Sequence, residues 1–494
     1  MVVDRLLRWL RTADSPVPLR VRTVRRTVAR VQARRSHGSV TQFLDDTAVA
    51  AAPDRAALHG GRRAAQGADA STDPTAHPTG HPVLSGGSAR PCHRIVALST
   101  YPLHPRQTGG QLRAWHLARA LTREHDVEVV AVAVTTEPSR SGRHDIAPGF
   151  TEYSVALPQT HIDAETRMRL VSGVASITDI AVGLMWGAIP ELVDRLERSL
   201  DGAAAAVLVQ PYLEPALAGL GGGIGYVCDE HNDEVDLKRG ILPDSEGGRW
   251  LMSHVEEIDA RAIAGASLVA ATTDADLEVL TERHHITAPT AIIPNGVDTS
   301  EIEFVSGGDR KRRRLAVDQS VGTRGGHPTA LFVGSGHRPN IEAGRAIIAA
   351  ASGMPDIDFV LAGRHSASLR RRHIPSNVHL LGLVDDDTLD LLLAGCDLAL
   401  NPMEAGSGSN LKLLTYLAAG LPVVSTFVGA RGVDAEEAGI VTTELHSLTE
   451  GVASLLSSST VERAASGRHY VEEHCDWAAI GLRFEAIVRE HLLP

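Results

Sequence analysis

The feature that most restricts how this chain can fold is a pattern that occurs twice: a short apolar run, a glycine-bearing loop, then a helical periodicity. Residues 94–99 (RIVALS) lead through TYPLHPRQTGG into QLRAWHLARALTRE, where Leu112, Trp115, Leu117 and Leu121 recur at roughly helical spacing. The run VEVVAVAV at 127–134 follows and reads as a buried strand. Residues 330–351 (ALFVGSGHRPNIEAGRAIIAAA) begin the same order again. Strand, loop, helix, strand is the repeating unit of a parallel sheet. Further strand-length runs stand at 205–209, 224–228, 267–271 and 291–293, and then at 357–362, 377–381, 397–400 and 421–425. Helical patterns at 249–265 and 274–284 lie between them. The pattern predicts an α/β chain with two doubly wound Rossmann-like domains facing each other across a cleft. Ligands in such sheets bind outside the carboxyl ends of the strands, which makes that cleft the expected site.

The expected boundaries are a leader at 1–92, one domain at 93–306, a second at 328–475, and a C-terminal helix at 476–494 packing back toward the first domain. Residues 307–327 are polar and Gly-rich and read as a connector, with Arg310 to Arg314 as a solvated charge run. The leader is the basic part of an acidic chain. Residues 1–90 hold 14 Arg against 7 Asp, or +7, within a total of -12. Residues 1–37 lack the unbroken apolar centre of a signal peptide, and two readings stay open there. They are a disordered basic leader, or a basic interfacial helix using Leu6, Leu7, Trp9 and Leu10 for peripheral membrane contact. Residues 47–91 read as a linker, so deletion of 1–88 is expected to leave a folded core. No apolar stretch reaches spanning length. The acidic balance argues against a nucleic-acid partner. Cys92, Cys228, Cys396 and Cys475 form no CxxC pair, which disfavours disulfides and structural zinc and suits the cytoplasm.

Three loops could hold a ligand. Thr108-Gly109-Gly110 and Gly334-Ser335-Gly336-His337-Arg338 both stand before helices, where free N–H groups attract phosphate. Neither matches a phosphate-loop motif or a full dinucleotide fingerprint. The third stretch, NPMEAGSGSNLKLLTYLAAGLPVVST (401–426), places a small-residue loop, a helix start and Lys412 together, which suits a diphosphate. Asp385-Asp386-Asp387 precedes an apolar helix, where an aspartate is an N-cap. Asp229-Glu230-His231-Asn232-Asp233-Glu234 follows a strand. Adjacent residues cannot all face one ion, so cleft-lining or capping roles fit it better than a metal.

Taken in order, these motifs resemble the retaining family 4 glycosyltransferases, which have the GT-B fold. Gly-Gly-x6-Leu-Ala-x-x-Leu (109–121) resembles the family's N-terminal loop and helix, and Ile293-Pro-Asn-Gly-Val-Asp298 the segment closing its first domain. Gly-x-Gly-Ser-Asn-Leu-Lys-Leu-Leu (406–414) with Ala-Gly-Leu-Pro-Val-Val (419–424) resembles its donor region. The resemblance covers about 93–485. It implies an acceptor-binding first domain, a donor-binding second domain, and transfer of a hexosyl-type sugar from a nucleotide diphosphate to an acceptor hydroxyl, as in polysaccharide or glycoconjugate synthesis. Glu404, Lys412 and Arg338 would be catalytic. Gly109, Gly110, Gly334, Ser335, Gly336, Gly406, Ser407, Gly408, Ser409, Asn410, Leu411 and Thr415 would bind the donor, with His231 and Asn232 on the acceptor side. No metal or other cofactor is implied, and the acceptor (saccharide, lipid or small molecule) is not specified. One departure stands out: where the family's second donor glutamate would contact the ribose, this chain has Thr415. Two alternatives therefore accompany the transferase reading: a nucleotide-sugar epimerase using His231 or Glu230, and a GT-B scaffold without turnover.

Overall fold

The computed structural model describes residues 39–51, 92–106, 108–133, 141–174, 176–370, 373–405 and 411–493. Residues 1–38 and 52–91, the greater part of the expected leader, lie outside them. Helix α1 (Val40–Ala51) precedes β1 (Arg94–Ser99), α2 (Gly109–Leu121), β2 (Asp126–Ala133) and a hairpin of β3 (Gly142–Ala147) and β4 (Phe150–Ala156). Helices α3 (Gln159–Ser172), α4 (Thr178–Met185) and α5 (Pro190–Leu200) lead to β5 (Ala205–Val209), and α6 (Glu214–Leu220) to β6 (Tyr226–Glu230). Then come α7 (Glu234–Ile241), α8 (Glu246–Gly265), β7 (Leu268–Ala271), α9 (Asp274–Arg283) and β8 (Thr290–Ile292). The second series is α10 (Gly307–Val321), β9 (Thr329–Val333), α11 (Arg338–Ala351), β10 (Asp358–Ala362), α12 (His365–Leu369), β11 (Val378–Gly382), α13 (Asp386–Gly395) and β12 (Leu398–Asn401). It ends with α14 (Leu411–Ala418), β13 (Val423–Thr426), β14 (Val441–Thr443), α15 (Leu448–Ser457), α16 (Thr460–His474) and α17 (Trp477–Leu492).

Two Rossmann-like sheets result. The first has the order β3-β4-β2-β1-β5-β6-β7-β8, and the second β11-β10-β9-β12-β13-β14. In the second every pairing is parallel. Written from β9 as the first strand, its order is 3-2-1-4-5-6, with the switch point between β9 and β12. In the first sheet β3 is the antiparallel edge against β4, and β1 lies between β2 and β5. Parallel strands need cover on both faces, which is why runs such as Leu398–Asn401 are buried at every residue.

The residues form two compact units. The first takes the chain to Pro102, Glu124–Gly225 and Lys238–Ala262. It contains a segment of the expected leader that is a packed helix. Ser39 Oγ accepts from the Gln42 amide at 3.0 Å, and Val40 and Leu44, one turn apart, are 3% and 0% exposed. Glu246 Oε1 accepts the Val40 and Thr41 amides at 2.9 and 3.1 Å, and Trp250 Nε1 donates to Asp45 Oδ1 at 2.7 Å. A carboxylate on the free amides at a helix start offsets their desolvation and favours the helix dipole. The linker reading therefore begins too early in sequence, and α1 belongs to the core.

The second unit takes Leu103–Arg123, Tyr226–Leu237 and Ile263–Pro494. In it the expected connector is helix α10, and the basic run is a solvated face only in part: Lys311 and Arg312 are exposed, while Arg310 and Arg314 are turned inward. Arg310 is buried, and its guanidinium donates to the carbonyls of Leu393 (2.5 Å), Cys396 (3.0 Å), Ala419 (2.7 Å) and Val305 (3.3 Å). It thereby satisfies carbonyls that the ends of α13 and α14 leave open. The C-terminal helix α17 packs on α2. His116 stacks on Trp477 with ring centroids 4.8 Å apart, and a Cβ on Gly481 would lie 2.5 Å from Ala120 Cβ. Among the described residues, no helix is long and apolar enough to cross a membrane.

Leu44→Ala should cost about 2–5 kcal/mol in urea unfolding, as a buried leucine does, and deletion of 1–88 should cost at least as much. Arg310→Met should also lower stability, by about 2–5 kcal/mol, because it strands several buried carbonyls. Lys311→Met, at an exposed neighbour, should stay within about 0.5 kcal/mol.

Candidate active site

The switch point of the second sheet brings two loop-to-helix junctions side by side. After β9 the chain runs Gly334-Ser335-Gly336 into α11, and after β12 it runs Pro402-Met403-Glu404 toward α14. Lys412, in the first turn of α14, crosses between them. Its Nζ donates to Asn340 Oδ1 at 2.7 Å, lies 3.7 Å from Met403 Sδ, and stands 5.6 Å from the ring centre of Phe332. Asn340 Nδ2 in turn donates to Ser335 Oγ at 3.1 Å, so the ammonium is linked to the glycine loop. None of the described carboxylates pairs with Lys412. Burial pushes its pKa down to about 8, which corresponds to a penalty of about 3 kcal/mol on the charged form. A cation held in this way favours an incoming anion.

The glycine loop is fixed from below. The Gly334 amide donates to Ala362 O at 2.9 Å, and Gly334 O lies 2.8 Å from His365 Nδ1. Gly363 has φ +113°, and a Cβ there would come 2.1 Å from Gly334 O, so only glycine lets β10 exit beside the loop. The Val333 amide donates to the Tyr416 hydroxyl at 2.7 Å, tying α14 to the end of β9. Burial raises the Tyr416 pKa, keeping the phenol neutral. Burial also lowers the His365 pKa, and Lys412 lowers it further. The first glycine loop reaches the same helix: a Cβ on Gly109 would lie 2.8 Å from Leu411 Cδ1. Thr108 and Gln111 form a capping box that fixes the start of α2.

The residues singled out from sequence are distributed as follows. Gly109, Gly110, Gly334, Ser335, Gly336, Leu411, Lys412 and Thr415 lie at these junctions, and Glu404 is an exposed residue just past β12. Gly406, Ser407, Gly408, Ser409 and Asn410 lie outside the described residues. Arg338 is not drawn to Lys412; it is 86% exposed and its Nε meets Glu342 Oε1 at 2.7 Å. Thr415 Oγ donates to Leu411 O at 3.1 Å, so its hydrogen is used within its own helix. His231 and Asn232 follow β6 in the other sheet. Asp385 caps α13, accepting the Thr388 amide at 2.9 Å, as its place before an apolar helix predicts. Asn340, His365 and Tyr416 escaped the sequence reading, since a helical Asn, a lone His and a core Tyr carry no spacing signal.

With this geometry in view, the comparisons with known proteins have a clear place. Residues 327–458, which contain the switch point, match the family model of glycosyl transferases group 1. No curated protein matches the chain in sequence. Among solved structures, the chain is similar to the sucrose-phosphate synthase of Thermosynechococcus elongatus, with TM-score 0.63 and 15% identity over 80% of this chain and 98% of that one. It is similar to the alpha,alpha-trehalose 6-phosphate synthase of Burkholderia multivorans, with TM-score 0.56 and 14% identity over 81% and 98%. It is also similar to WaaG, a glycosyltransferase involved in lipopolysaccharide biosynthesis, with TM-score 0.54 and 18% identity over 80% and 99%. At these identities the likeness establishes the fold, and it is the fold that the repeated pattern predicted.

The depressed Lys412 pKa gives the site a pH signature. A diphosphate bound beside the ammonium raises its pKa, so between about 8 and that higher value binding takes up a proton. UDP or GDP affinity should be flat from pH 7 to about 8 and then fall, by up to tenfold per pH unit. Lys412→Met should weaken binding at pH 7 and abolish the fall, both read by titration calorimetry.

Proposed function

We propose that the protein transfers a sugar from a nucleoside diphosphate sugar to an acceptor hydroxyl, with retention of anomeric configuration. The observation that carries this reading is Lys412: a mostly buried ammonium with no carboxylate partner among the described residues, at the switch point of a Rossmann-like sheet. The family match over the same residues, and neighbours whose names are those of sugar-transferring synthases and a glycosyltransferase, support it.

In this scheme the departing diphosphate gains charge as the sugar–phosphate bond lengthens. Lys412 and the amides at 334–336 and 406–411 stabilise that charge, and they do so most in the transition state. Glu404 orients the sugar. Arg338 reaches the phosphates by exchanging Glu342 for them, a change its exposure permits. The loop at Thr108–Gly110 closes against the donor beside Leu411. His231 and Asn232 stand on the acceptor side. Protein cations supply the electrostatics here, so the scheme requires no metal. The reaction belongs in the cytoplasm, with residues 1–37 offering contact to an anionic membrane face.

Purified full-length protein should release nucleotide from one of a panel of UDP-, GDP- and dTDP-sugars only when an acceptor is supplied. Release or isomerisation without acceptor would favour the epimerase reading, and neither would leave the scaffold. EDTA should not change the rate; loss with EDTA and recovery with a divalent ion would end the metal-free scheme. Lys412→Ala should lower kcat/KM by about 30- to 1000-fold, or 2–4 kcal/mol, with a small effect on unfolding. Thr415→Glu should tighten nucleotide binding, by adding a carboxylate acceptor for a ribose diol.

A further inference from the structure

Parallel strands are ordinarily covered on both faces, but one face of the first sheet is open where β1, β2 and β4 begin. The register sets Arg94 of β1 opposite Asp126 of β2, and Glu128 opposite Thr151 of β4. On the edge strand β3, Asp145 and Arg143 stand opposite Thr151 and Tyr153. Alternate residues of a strand share a face, so all of these project to one side. Along β4 the other side is closed: Phe150, Glu152 and Ser154 are buried, while Thr151 and Tyr153 are half-buried. Helix α5 covers part of the open side. Arg195 pairs with Glu128 at 2.5 Å, and its guanidinium carbon stands 3.6 Å from the centre of the Tyr153 ring.

These strand residues, without Arg195, line a groove of about 500 Å³ together with the turn at 147–149. That is the size of a small-ligand site. The groove lies wholly within the first unit. Asp126 opens β2, and the carboxyl end of that strand, where ligands of such sheets bind, is seven residues on at Ala133, roughly 23 Å away.

Neither sign of charge is in excess in the groove. Arg143 Nε donates to Asp145 Oδ1 at 2.9 Å, and Thr151 Oγ1 donates to the same oxygen at 3.2 Å. Both members of the pair are more than half exposed, at 59% and 67%, so their remaining donors and acceptors are open to a ligand. Asp126 is exposed and has no ion-pair partner among the described residues, and Arg94 stands across from it. A phosphate or carboxylate entering here meets a carboxylate wherever it meets a guanidinium, and an ammonium meets the reverse. A hydroxyl suits both, because it donates to the one and accepts from the other.

We infer that this groove is a binding site for a neutral saccharide, whose hydroxyls are held by Asp126, Arg143 and Asp145 and whose C–H surface packs on Tyr153. The site is separate from the switch point around Lys412, and it stands whether or not the protein transfers sugar.

Saturation-transfer NMR on the full-length protein reads the binding directly. The probes are glucose, galactose, mannose and maltotriose, with the 6-phosphates and 2-amino analogues of the three monosaccharides. At least one neutral sugar should give a saturable signal that excess UDP or GDP does not displace. The phosphorylated and amino sugars should bind no better than their neutral parents. Two independent changes at exposed residues, the double substitution Arg143→Ser with Asp145→Ser and the single Asp126→Ala, should each weaken the sugar about tenfold or more. Their urea midpoints and their UDP affinity should stay at the wild-type values. Absence of binding by every probe overturns the inference, as does equal affinity in the wild type and both variants. Displacement by UDP would put the sugar at the switch point and overturn the separate site. A preference for the phosphate or the amine overturns the neutral class. Turnover of a nucleotide sugar plays no part in these readings, so failure of the transferase reading and failure of this one are told apart.

Discussion

A mostly buried ammonium is costly unless something negative meets it, and the second sheet is organised around one. Lys412 can cross from α14 to Asn340 because β9 and β12 are neighbours in space although two strands separate them in sequence. That adjacency sets two helix starts, with their free amides, beside the same cation. The remaining contacts act on geometry. Tyr416 holds α14 to β9, and the Gly334 carbonyl is held beside His365, away from the open side of the loop. Had β9 and β12 been separated by another strand, the same residues would lie roughly 5 Å further apart per strand and the cation would lose its loop.

Much of this architecture is legible in the sequence because parallel strands announce themselves. They are buried on both faces, so RIVALS, VEVVAVAV and AAVLV read as continuous apolar runs, and each stands where a strand is found. Helices α1 and α10 are harder to read. The buried face of α1 is Val40, Leu44 and Thr47, a short stripe inside an Ala- and Asp-rich stretch. Helix α10 buries only Arg310 and Val317 and is held by charged contacts. A basic run reads as solvated unless one knows that four carbonyls converge on it. The stretch 401–426 is visible as a motif, but the contacts of Lys412 depend on a partner far along the chain, Asn340, 72 residues away, and Arg113 likewise meets Asp229 across 116 residues. Spacing rules see neighbours on one helix or strand, not side chains that the winding of a sheet brings together.

Two fully buried guanidiniums show how such long-range contacts are made. Arg310 has only carbonyls for partners, while Arg113 meets a carboxylate and a carbonyl. The planar fork suits both cases, since its five donors can be directed at several fixed acceptors at once. A lysine would supply the charge without that geometry. This fits a chain whose cations are almost all arginine, with lysines at 238, 311 and 412 alone. The one lysine at the switch point is the exception that a compact, unpaired charge requires.

The packing of α17 on α2 also bears on how the chain matures. Helix α2 carries the Gly109 loop at its start, and the face that meets Trp477 and Gly481 is covered by residues made more than 350 positions later. Until residues 477–481 are made, His116 lacks its stacking partner Trp477, and the helix that carries Arg113 lacks the support of α17. The first unit can condense while the ribosome is still working, since its segments end at Ala262. The second is a late-closing unit whose helices α2 and α17 meet across more than 350 residues of chain, a contact that no intermediate shorter than that can form. The start of α2 is therefore buttressed only once residues 477–492 have been made, and a chain arrested before them would be folded in part.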